Sequence, residues 1–453
     1  MNTSSLLARK LNQDRMEELH AEEKVAGTQA LRPSASEIRQ SDQIIRKVSQ
    51  AFNTEISETG LTEDVKEAIA ARVNDEINKI TSSYEERSRL RKITLNAMFG
   101  LGPIESYMAE GSPVSDIVVH RYNHICVEDE TGVHRVDAEF NSEEHLRNVI
   151  ARIVQQVGRQ INIAMPAVDA KLPDGSRIHA TIPPISPDGA TLTIRRFNTQ
   201  KLEPEDYIRL GTLNEEMLEF LKNCVKAKVN ILVSGGTGSG KTTLLNMLSG
   251  FIPENELIVT VEDNCELQLR QPNVRRLEAR YAMGEAANIS IQDLVRHSLR
   301  MRPDRIIVGE VRDGTIVDML SAMSTGHEGS MSTIHATSPR ACIDSRIPTL
   351  FSMYGTSFTR ETEELMTAEA IQLIVQISRE PDHKRKITHI TAVEGCRDTS
   401  EGIVLKDLFR YLPESDTFSA TEEWPDVLER ILKERGIDLT SFLSSRDRKG
   451  KRG

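Results

Sequence analysis

Long hydrophobic runs are absent from this 453-residue sequence. No stretch approaches the roughly 18 uncharged apolar residues that a membrane-spanning helix needs. Residues 1–15 contain Arg9, Lys10 and Arg15 with no apolar segment behind them, which is unlike a secretory signal peptide. We therefore expect a cytoplasmic protein.

Cysteine is scarce, and its spacing does not suggest pairing. No two cysteines stand at C-x-x-C spacing, so a disulfide framework and a four-cysteine zinc site are both disfavoured. The five cysteines, an odd number, are Cys126, Cys224, Cys265, Cys342 and Cys396. This usage is typical of a reducing compartment.

Aromatic residues make up only 4% of the chain, and acidic residues outnumber basic ones by 68 to 57. The net charge is −11, and no basic stretch is interleaved with aromatic residues. Both features argue against stable nucleic-acid binding, and they weaken the hypothesis of a DNA translocase.

The length predicts two to four domains, at roughly 100–200 residues each. Residues 1–55 are polar, and we expect a loosely helical or flexible N-terminal extension there. Residues 56–103 form a predicted helical segment. Within it Val65, Ile69 and Val73 recur at helical spacing.

Residues 104–197 have the pattern of an α+β domain. Residues 116–120 and 125–127 predict a hairpin, and further strands are predicted on both sides of the Pro173-Asp174-Gly175 turn and at 191–194. Ser142 is placed to cap a helix that runs to about Val157. A linker is predicted at 198–210.

Residues 211–453 change to short apolar strands that alternate with helices, which is typical of a parallel α/β sheet. Its C-terminal region is predicted to begin with a helix over 361–377 and to continue with strands at 387–393 and 403–408. The chain closes with a basic tail at 446–452.

A glycine-rich segment matches the pattern G-x-x-x-x-G-K-[ST]. An apolar strand at 229–233 precedes it and a helix at 243–248 follows, so its N–H groups are expected to converge on phosphate oxygens. Lys241 would reach the β- and γ-phosphates, and Thr242 would hold Mg²⁺. The alternative is a glycine-rich turn without a ligand. The candidate nucleotide-binding residues are Gly235, Gly236, Thr237, Gly238, Ser239, Gly240, Lys241, Thr242 and Thr243.

Two further strands end in acidic residues. The strand at 305–310 ends in Glu310, which is predicted to activate the attacking water. The alternative for Glu310 is a surface ion pair with Arg305 or Arg312. The strand at 257–261 is followed by Glu262 and Asp263, and of these Glu262 is the better candidate for positioning Mg²⁺ or water.

Histidines and arginines complete the candidate set. His327 and His335 flank a short strand with seven residues between them, which is not metal-ligand spacing. Each is either structural or a sensor of the γ-phosphate. Arg177, Arg195 and Arg196 follow or precede apolar runs; they are either surface residues or arginines that close over phosphates.

Four of these motifs, in this order, resemble those of the type II/type IV secretion and pilus-assembly ATPases. Residues 235–242, 262–267, 301–310 and 325–336 are similar to that family's Walker A, Asp box, Walker B and His box. The upstream stretch from Asp169 to Phe197 resembles the branch that serves tight-adherence (Tad/Flp) pili, the CpaF/TadA type.

The resemblance implies a RecA-like P-loop NTPase domain, preceded by a PAS-like α+β domain and a helical extension. It implies a homo-hexamer that binds ATP and Mg²⁺ between these two domains and acts on a platform protein, so that it is peripheral at the inner membrane. Glu310 would be the catalytic acid, Glu262 and His335 accessory residues, and Arg177 and Arg195 phosphate contacts.

Hydrolysis in such a protein powers pilus assembly, with retraction a further option, or a related secretion process. Two other hypotheses stay open. One is a traffic ATPase of a conjugative or effector-exporting type IV system. The other is a nucleotide-sensing scaffold that binds ATP without turnover, which the presence of Glu310 disfavours.

Overall fold

A computed structural model describes residues 34–59, 63–109, 111–129, 131–197, 202–280, 288–396, 402–421 and 425–437. The chain divides into two compact units, Met1–Phe197 and Asn198–Gly453. The predicted basic tail and residues 1–33 of the predicted extension lie outside the described residues. Within the described part of the chain, no helix is both long and apolar enough to cross a membrane.

The first unit begins with three long helices that share a small core. Ile44 and Val48 of the first helix are buried together with Val65, Ile69 and Leu90 of the next two. The helices are α1 (Ala35–Thr59), α2 (Glu63–Asn78), α3 (Tyr84–Phe99) and the short α4 (Glu105–Met108), with a 3₁₀ turn at Gly102–Ile104.

Of the two alternatives expected for residues 1–55, the described part of this segment is helical and forms α1, which packs on the next two helices. Ile44 and Val48 stand four residues apart on one face of α1, and both are buried. With Phe52 they form an apolar stripe at four-residue spacing, which packs against α2 and α3. Its order comes from packing against α2 and α3.

An antiparallel sheet and one helix follow in the first unit. The sheet order is β3-β2-β1-β6-β5-β4. The elements are β1 (Asp116–Arg121), β2 (His124–Asp129), β3 (Gly132–Arg135), α5 (Glu143–Gln156), β4 (Ala167–Lys171), β5 (Arg177–Thr181) and β6 (Thr191–Arg195). Helix α5 buries Leu146, Val149 and Ile153 against the sheet. The predicted hairpin and the predicted helix are confirmed.

Ser142 caps α5, since its Oγ accepts a hydrogen bond from the His145 backbone N–H at 3.1 Å. Replacing Ser142 with alanine should lower the free energy of unfolding of the first unit by about 1 kcal/mol. Urea unfolding followed by circular dichroism measures the change. Ser83 is the matched control, because it occupies the N-cap of α3 without making a side-chain capping bond. An equal loss for Ser83→Ala would contradict the capping explanation.

The second unit is a mixed α/β fold around a nine-stranded sheet. The sheet order is β15-β14-β13-β12-β7-β11-β10-β8-β9. The strands from β12 to β9 in this order are parallel, and β13 to β15 extend the sheet as antiparallel strands. The strands are β7 (Ile231–Gly235), β8 (Ile258–Glu262), β9 (Val274–Glu278), β10 (Arg305–Val311), β11 (Met331–Ile334), β12 (Leu373–Arg379), β13 (Arg385–Cys396), β14 (Ile403–Leu412) and β15 (Thr417–Ala420).

Helices cover both faces of this sheet. Ile231 and Val233 of β7 point into one apolar core and Leu232 points into the other, as alternation along a strand requires. The helices are α6 (Pro204–Arg209), α7 (Glu215–Lys226), α8 (Lys241–Ser249), α9 (Ile291–Ser298), α10 (Thr315–Ser324), α11 (Pro339–Ala341), α12 (Ile347–Ser352), α13 (Arg360–Ala370) and α14 (Asp426–Glu434), with further helical turns at Leu299–Met301 and Cys342–Arg346.

The helix predicted over 361–377 is wrong in its second half. Helix α13 ends at Ala370, and residues Leu373–Arg379 form β12, a central strand that pairs with both β7 and β13. The run Leu373–Ile377 is buried throughout. A short apolar run that is buried on both faces has no period, so the sequence cannot distinguish a strand from a helix there.

Asn230 fixes the start of β7. Its side-chain amide is buried, and it donates to the carbonyls of Met323 at 3.2 Å and Ala370 at 2.7 Å. Its Oδ1 accepts from the N–H groups of Gly329 at 2.7 Å and Ser330 at 3.1 Å. The amide therefore uses its full hydrogen-bonding capacity to join the starts of β7 and β11 to the ends of α10 and α13.

Candidate functional site

The predicted site residues of the second unit meet at one edge of its sheet. Strands β8, β10, β11 and β7 are neighbours and run parallel, so their carboxyl ends lie side by side. The glycine-rich loop follows β7, Glu262 ends β8, Glu310 lies near the end of β10, and His335 follows β11. In open α/β sheets this edge is where ligands bind.

The glycine-rich loop has the shape of a phosphate cradle. It turns from β7 directly into α8, so that the unbonded N–H groups at the start of α8 face the loop. Gly240 has a φ of 94°, a left-handed conformation that favours glycine, and Ser239 Oγ donates to the Gly236 carbonyl at 2.9 Å. Thr242 and Thr243 lie in the first turn of α8, with Thr242 partly exposed and Thr243 exposed.

Lys241 and Glu310 face each other at this edge. Lys241 Nζ donates to the Gly236 carbonyl at 2.9 Å and lies 4.0 Å from Glu310 Oε1. The second oxygen of Glu310 accepts from Arg312 Nε at 2.8 Å. The carboxylate thus lies between two cations, one from the glycine-rich loop and one from just after its own strand.

Of the two ion pairs considered for Glu310, the structure contains the one with Arg312. Arg312 also lies 3.3 Å from Asp263 Oδ2, so it bridges the acidic residues of β10 and the β8 end. Arg305 is fully buried at the start of β10, where its Nε donates to Glu256 at 2.6 Å. Arg305 therefore serves the interior of the unit, and Glu310 remains at the mouth of the loop.

Glu262 is buried at the end of β8. Its Oε2 accepts from the N–H groups of Glu266 at 2.7 Å and Leu267 at 2.9 Å. Burial raises the pKa of Glu262, against the opposing effect of these two hydrogen bonds. Its Oε1 is buried and has no partner among the described residues. Glu262 therefore shapes the turn after β8 and keeps one oxygen available for a water molecule.

The two histidines lie at opposite ends of β11. His335 follows the strand and is exposed at the edge that carries the glycine-rich loop. His327 precedes the strand, and its backbone carbonyl accepts from Ser330 Oγ at 2.7 Å. The structure therefore brings His335 to the candidate site and excludes His327 from it. Thr333 Oγ1 donates to the Gly309 carbonyl at 2.7 Å and ties β11 to the Glu310 strand.

Gln376 is a residue that the sequence analysis missed. It is buried on β12, and its Nε2 donates to the carbonyl of Ala336, next to His335, at 3.2 Å. Its Cα pairs with that of Ser234, the residue before Gly235. Gln376 lies in the segment predicted to be helical. The available signal was a single amide inside the apolar run Leu373–Ile377.

The arginines of the first unit separate into a pair and a structural residue. Arg177 and Arg195 are opposite each other on β5 and β6, so their side chains extend from the same face of the sheet. Arg196 points elsewhere, and its guanidinium donates to the carbonyls of Ser112 at 2.9 Å and Val114 at 3.0 Å. Arg196 thus holds a loop, whereas a phosphate contact by Arg177 and Arg195 stays a prediction.

The family model for type II/IV secretion system proteins matches residues 97–403. The chain belongs to this family. The family suggested by the four ordered motifs is thereby confirmed, and the tight-adherence pilus branch stays a prediction.

Relatives of the family extend over most of the chain. A putative conjugal transfer protein of Mycobacterium tuberculosis is 32% identical over 322 residues, which are 69% of this chain and 90% of that protein. The type IV secretion system protein VirB11 of Bartonella quintana is 31% identical and covers 64% of this chain and 91% of its own length.

Two solved structures are similar at lower identity. The VirB11 ATPase of Brucella suis in complex with sulphate is 24% identical with a TM-score of 0.35, over 65% of this chain and 97% of that one. The pilus retraction motor PilT with bound ADP is 19% identical with a TM-score of 0.45, over 71% and 83%. Both TM-scores lie below 0.5, so family membership rests on the sequence matches.

Proposed function

We propose that the protein is a Mg²⁺-dependent ATP hydrolase that drives a secretion or pilus machine of the type II/IV class. The observation that carries this proposal is the position of Glu310, whose Oε1 is 4.0 Å from Lys241 Nζ at the mouth of the glycine-rich loop. A protein that only binds a nucleotide needs the loop and the lysine. A carboxylate beside them fits the activation of a water molecule.

The residues divide the work between binding and chemistry. The loop from Gly235 to Gly240 and the start of α8 bind phosphate oxygens through backbone N–H groups, and Lys241 adds a positive charge. Glu310 accepts the proton of the attacking water. Bound Mg²⁺ would neutralise charge on the phosphates, and the Thr242 hydroxyl, partly exposed in the first turn of α8, is the residue that would hold it.

Three further roles belong to the same proposal. Glu262 positions water through its unpartnered oxygen, and His335 senses the γ-phosphate from the end of β11. Arg177 and Arg195 contact phosphate from the first unit; motif resemblance supports this role. The same resemblance supports a RecA-like assignment for residues 211–453, a PAS-like assignment for 104–197, and a cytoplasmic homo-hexamer held at the inner membrane by a platform protein.

Two machines are candidates for the partner. The stretch from Asp169 to Phe197 supports a tight-adherence pilus, in which the motor extends or retracts the filament. The names of the relatives support a conjugal-transfer or type IV secretion system, since they include a putative conjugal transfer protein, VirB11 and PtlH. Deleting the gene and comparing surface pilin with transfer of DNA or effector proteins distinguishes the two.

Steady-state ATP hydrolysis by the purified full-length protein tests the enzymatic part of the proposal. We expect turnover that requires Mg²⁺ and is abolished by a chelator. A protein that binds ATP but does not hydrolyse it, even with membranes or the platform protein added, would instead be a nucleotide-sensing scaffold.

A further inference from the structure

The hairpin between β12 and β13 stands directly beside the glycine-rich loop. Strand β12 pairs with β7 in parallel register, with Ile377 opposite Gly235. The contact is so close that a Cβ on Gly235 would lie 2.3 Å from the Ile377 carbonyl oxygen. Past this point β12 and β13 continue together as far as the pair Arg379 and Arg385. The end of the hairpin therefore flanks the candidate site.

Arg385 lies across the glycine-rich loop at Gly240, the residue before Lys241. A Cβ placed on Gly240 would be 3.1 Å from Arg385 Cδ and 3.5 Å from its Nε. The residue as a whole is exposed. The stem of Arg385 thus packs on the loop, and its guanidinium reaches the solvent at the start of α8.

Arg385 differs from other cations at this edge in lacking an acidic neighbour. Lys241 lies beside Glu310, and Lys384 of the same hairpin pairs with Asp382 at 3.0 Å. The side chain of Arg385 makes no hydrogen bond or ion pair with any residue of the described part of the chain. Its full charge is therefore available to an anion at the loop.

No negative charge faces Arg385 from the buried residue Tyr207 on its core side either. The nearby ionisable group there is Tyr207 of α6, which is 4% exposed. Burial raises the pKa of Tyr207, and the charge of Arg385 offsets this only in part. The phenol therefore stays neutral at physiological pH and does not compete for the guanidinium.

We propose that Arg385 is a second side-chain cation, beside Lys241, that binds phosphate oxygens of the nucleotide held by the glycine-rich loop of its own chain. This inference rests on the proposed function, because it needs a nucleoside di- or triphosphate at that loop. A guanidinium forms paired, charge-assisted hydrogen bonds with phosphate oxygens, which a single ammonium cannot reproduce. Arg385 thereby links nucleotide occupancy to the β12–β13 hairpin.

Equilibrium binding at fixed ionic strength tests the inference. The ligands are MgATP, MgADP and inorganic tripolyphosphate, and the full-length variants are Arg385→Gln, Arg385→Lys and Lys384→Gln. We expect Arg385→Gln to weaken binding of all three ligands by about 10- to 100-fold, as loss of a hydrogen bond to a charged group does. Arg385→Lys should recover part of this loss. Lys384→Gln removes the same charge from the same hairpin and should have a much smaller effect.

Each other outcome has a separate meaning. Weaker nucleotide binding with unchanged tripolyphosphate binding overturns the phosphate contact and indicates the base or ribose. Equal losses for Arg385→Gln and Lys384→Gln overturn it in favour of a general electrostatic effect. Unchanged binding by both Arg385 variants, with thermal unfolding like wild type, overturns it outright. Failure of the wild-type protein to bind ATP overturns the proposed function, which the other outcomes leave intact.

Discussion

Replacing Glu310 with glutamine should lower steady-state ATP turnover by about 100-fold or more, while ATP binding is retained. Glutamine has the same shape as glutamate, and its carbonyl oxygen can still accept the hydrogen bond that Arg312 donates in the wild type. It cannot accept a proton from water at neutral pH. The variant should therefore lose the chemical step and keep the loop beside Lys241.

Turnover by a coupled assay and ATP affinity by calorimetry measure the two effects separately. Glu328→Gln is the matched control, since Glu328 is an exposed glutamate just before β11, at the end of the strand away from His335. If Glu310→Gln keeps turnover within a few-fold of wild type, Glu310 is not the base. Loss of ATP affinity together with turnover would assign Glu310 a structural role through Arg312 and Lys241.

Replacing Lys241 with alanine should weaken ATP binding by about 100-fold, at the upper end of the range for a hydrogen bond to a charged group. The ammonium is nearly buried and lies where loop, helix and Glu310 converge, so solvent screens it little. Its removal also leaves Glu310 with Arg312 as its remaining close cation. Turnover should fall in parallel with affinity, because the bound complex no longer forms at ordinary ATP concentrations.

Calorimetric titration with MgATP measures the affinity of this variant. Lys226→Ala is a suitable control, because Lys226 is exposed at the end of α7 and belongs to the same unit. Thermal unfolding of both variants checks that the fold is kept. An unchanged affinity for Lys241→Ala, with unfolding like wild type, would show that the glycine-rich loop does not bind phosphate in this protein.

The sequence predicts the elements around the glycine-rich loop well because their signals are local. Glycines, an apolar run and a following helix occur together within residues 229–248, and Glu310 follows its own apolar strand. The carboxyl ends of neighbouring parallel strands meet at one edge, so the approximate position of these acids follows from the strand assignment. The strand assignment does not predict that Glu262 is a buried carboxylate with an unpartnered oxygen. This depends on how closely the surrounding residues pack over the end of β8.

Features that depend on pairing between strands far apart in the sequence cannot be predicted from the sequence alone. From the sequence alone, β12 is predicted to be part of a helix, because its pairing with β7 and β13 is unknown. Gln376 on β12, and Arg385 on the hairpin that β12 forms with β13, are therefore missed as well. Helix α1 has an apolar stripe of its own, but the sequence does not say which helices cover it. The separation of His327 from His335 likewise follows from the length and direction of β11, which fix one histidine at each end.

The sheet order has a consequence for biosynthesis. The strand that carries the glycine-rich loop, β7, is flanked by β11 and β12, which begin only at Met331 and Leu373. During synthesis the loop therefore leaves the ribosome long before β11 and β12 are made. Until then β7 is an apolar strand without its pairing partners. A chain that ends before Leu373 contains the whole glycine-rich motif but lacks the strand that pairs with one side of β7, so it leaves an apolar strand edge uncovered.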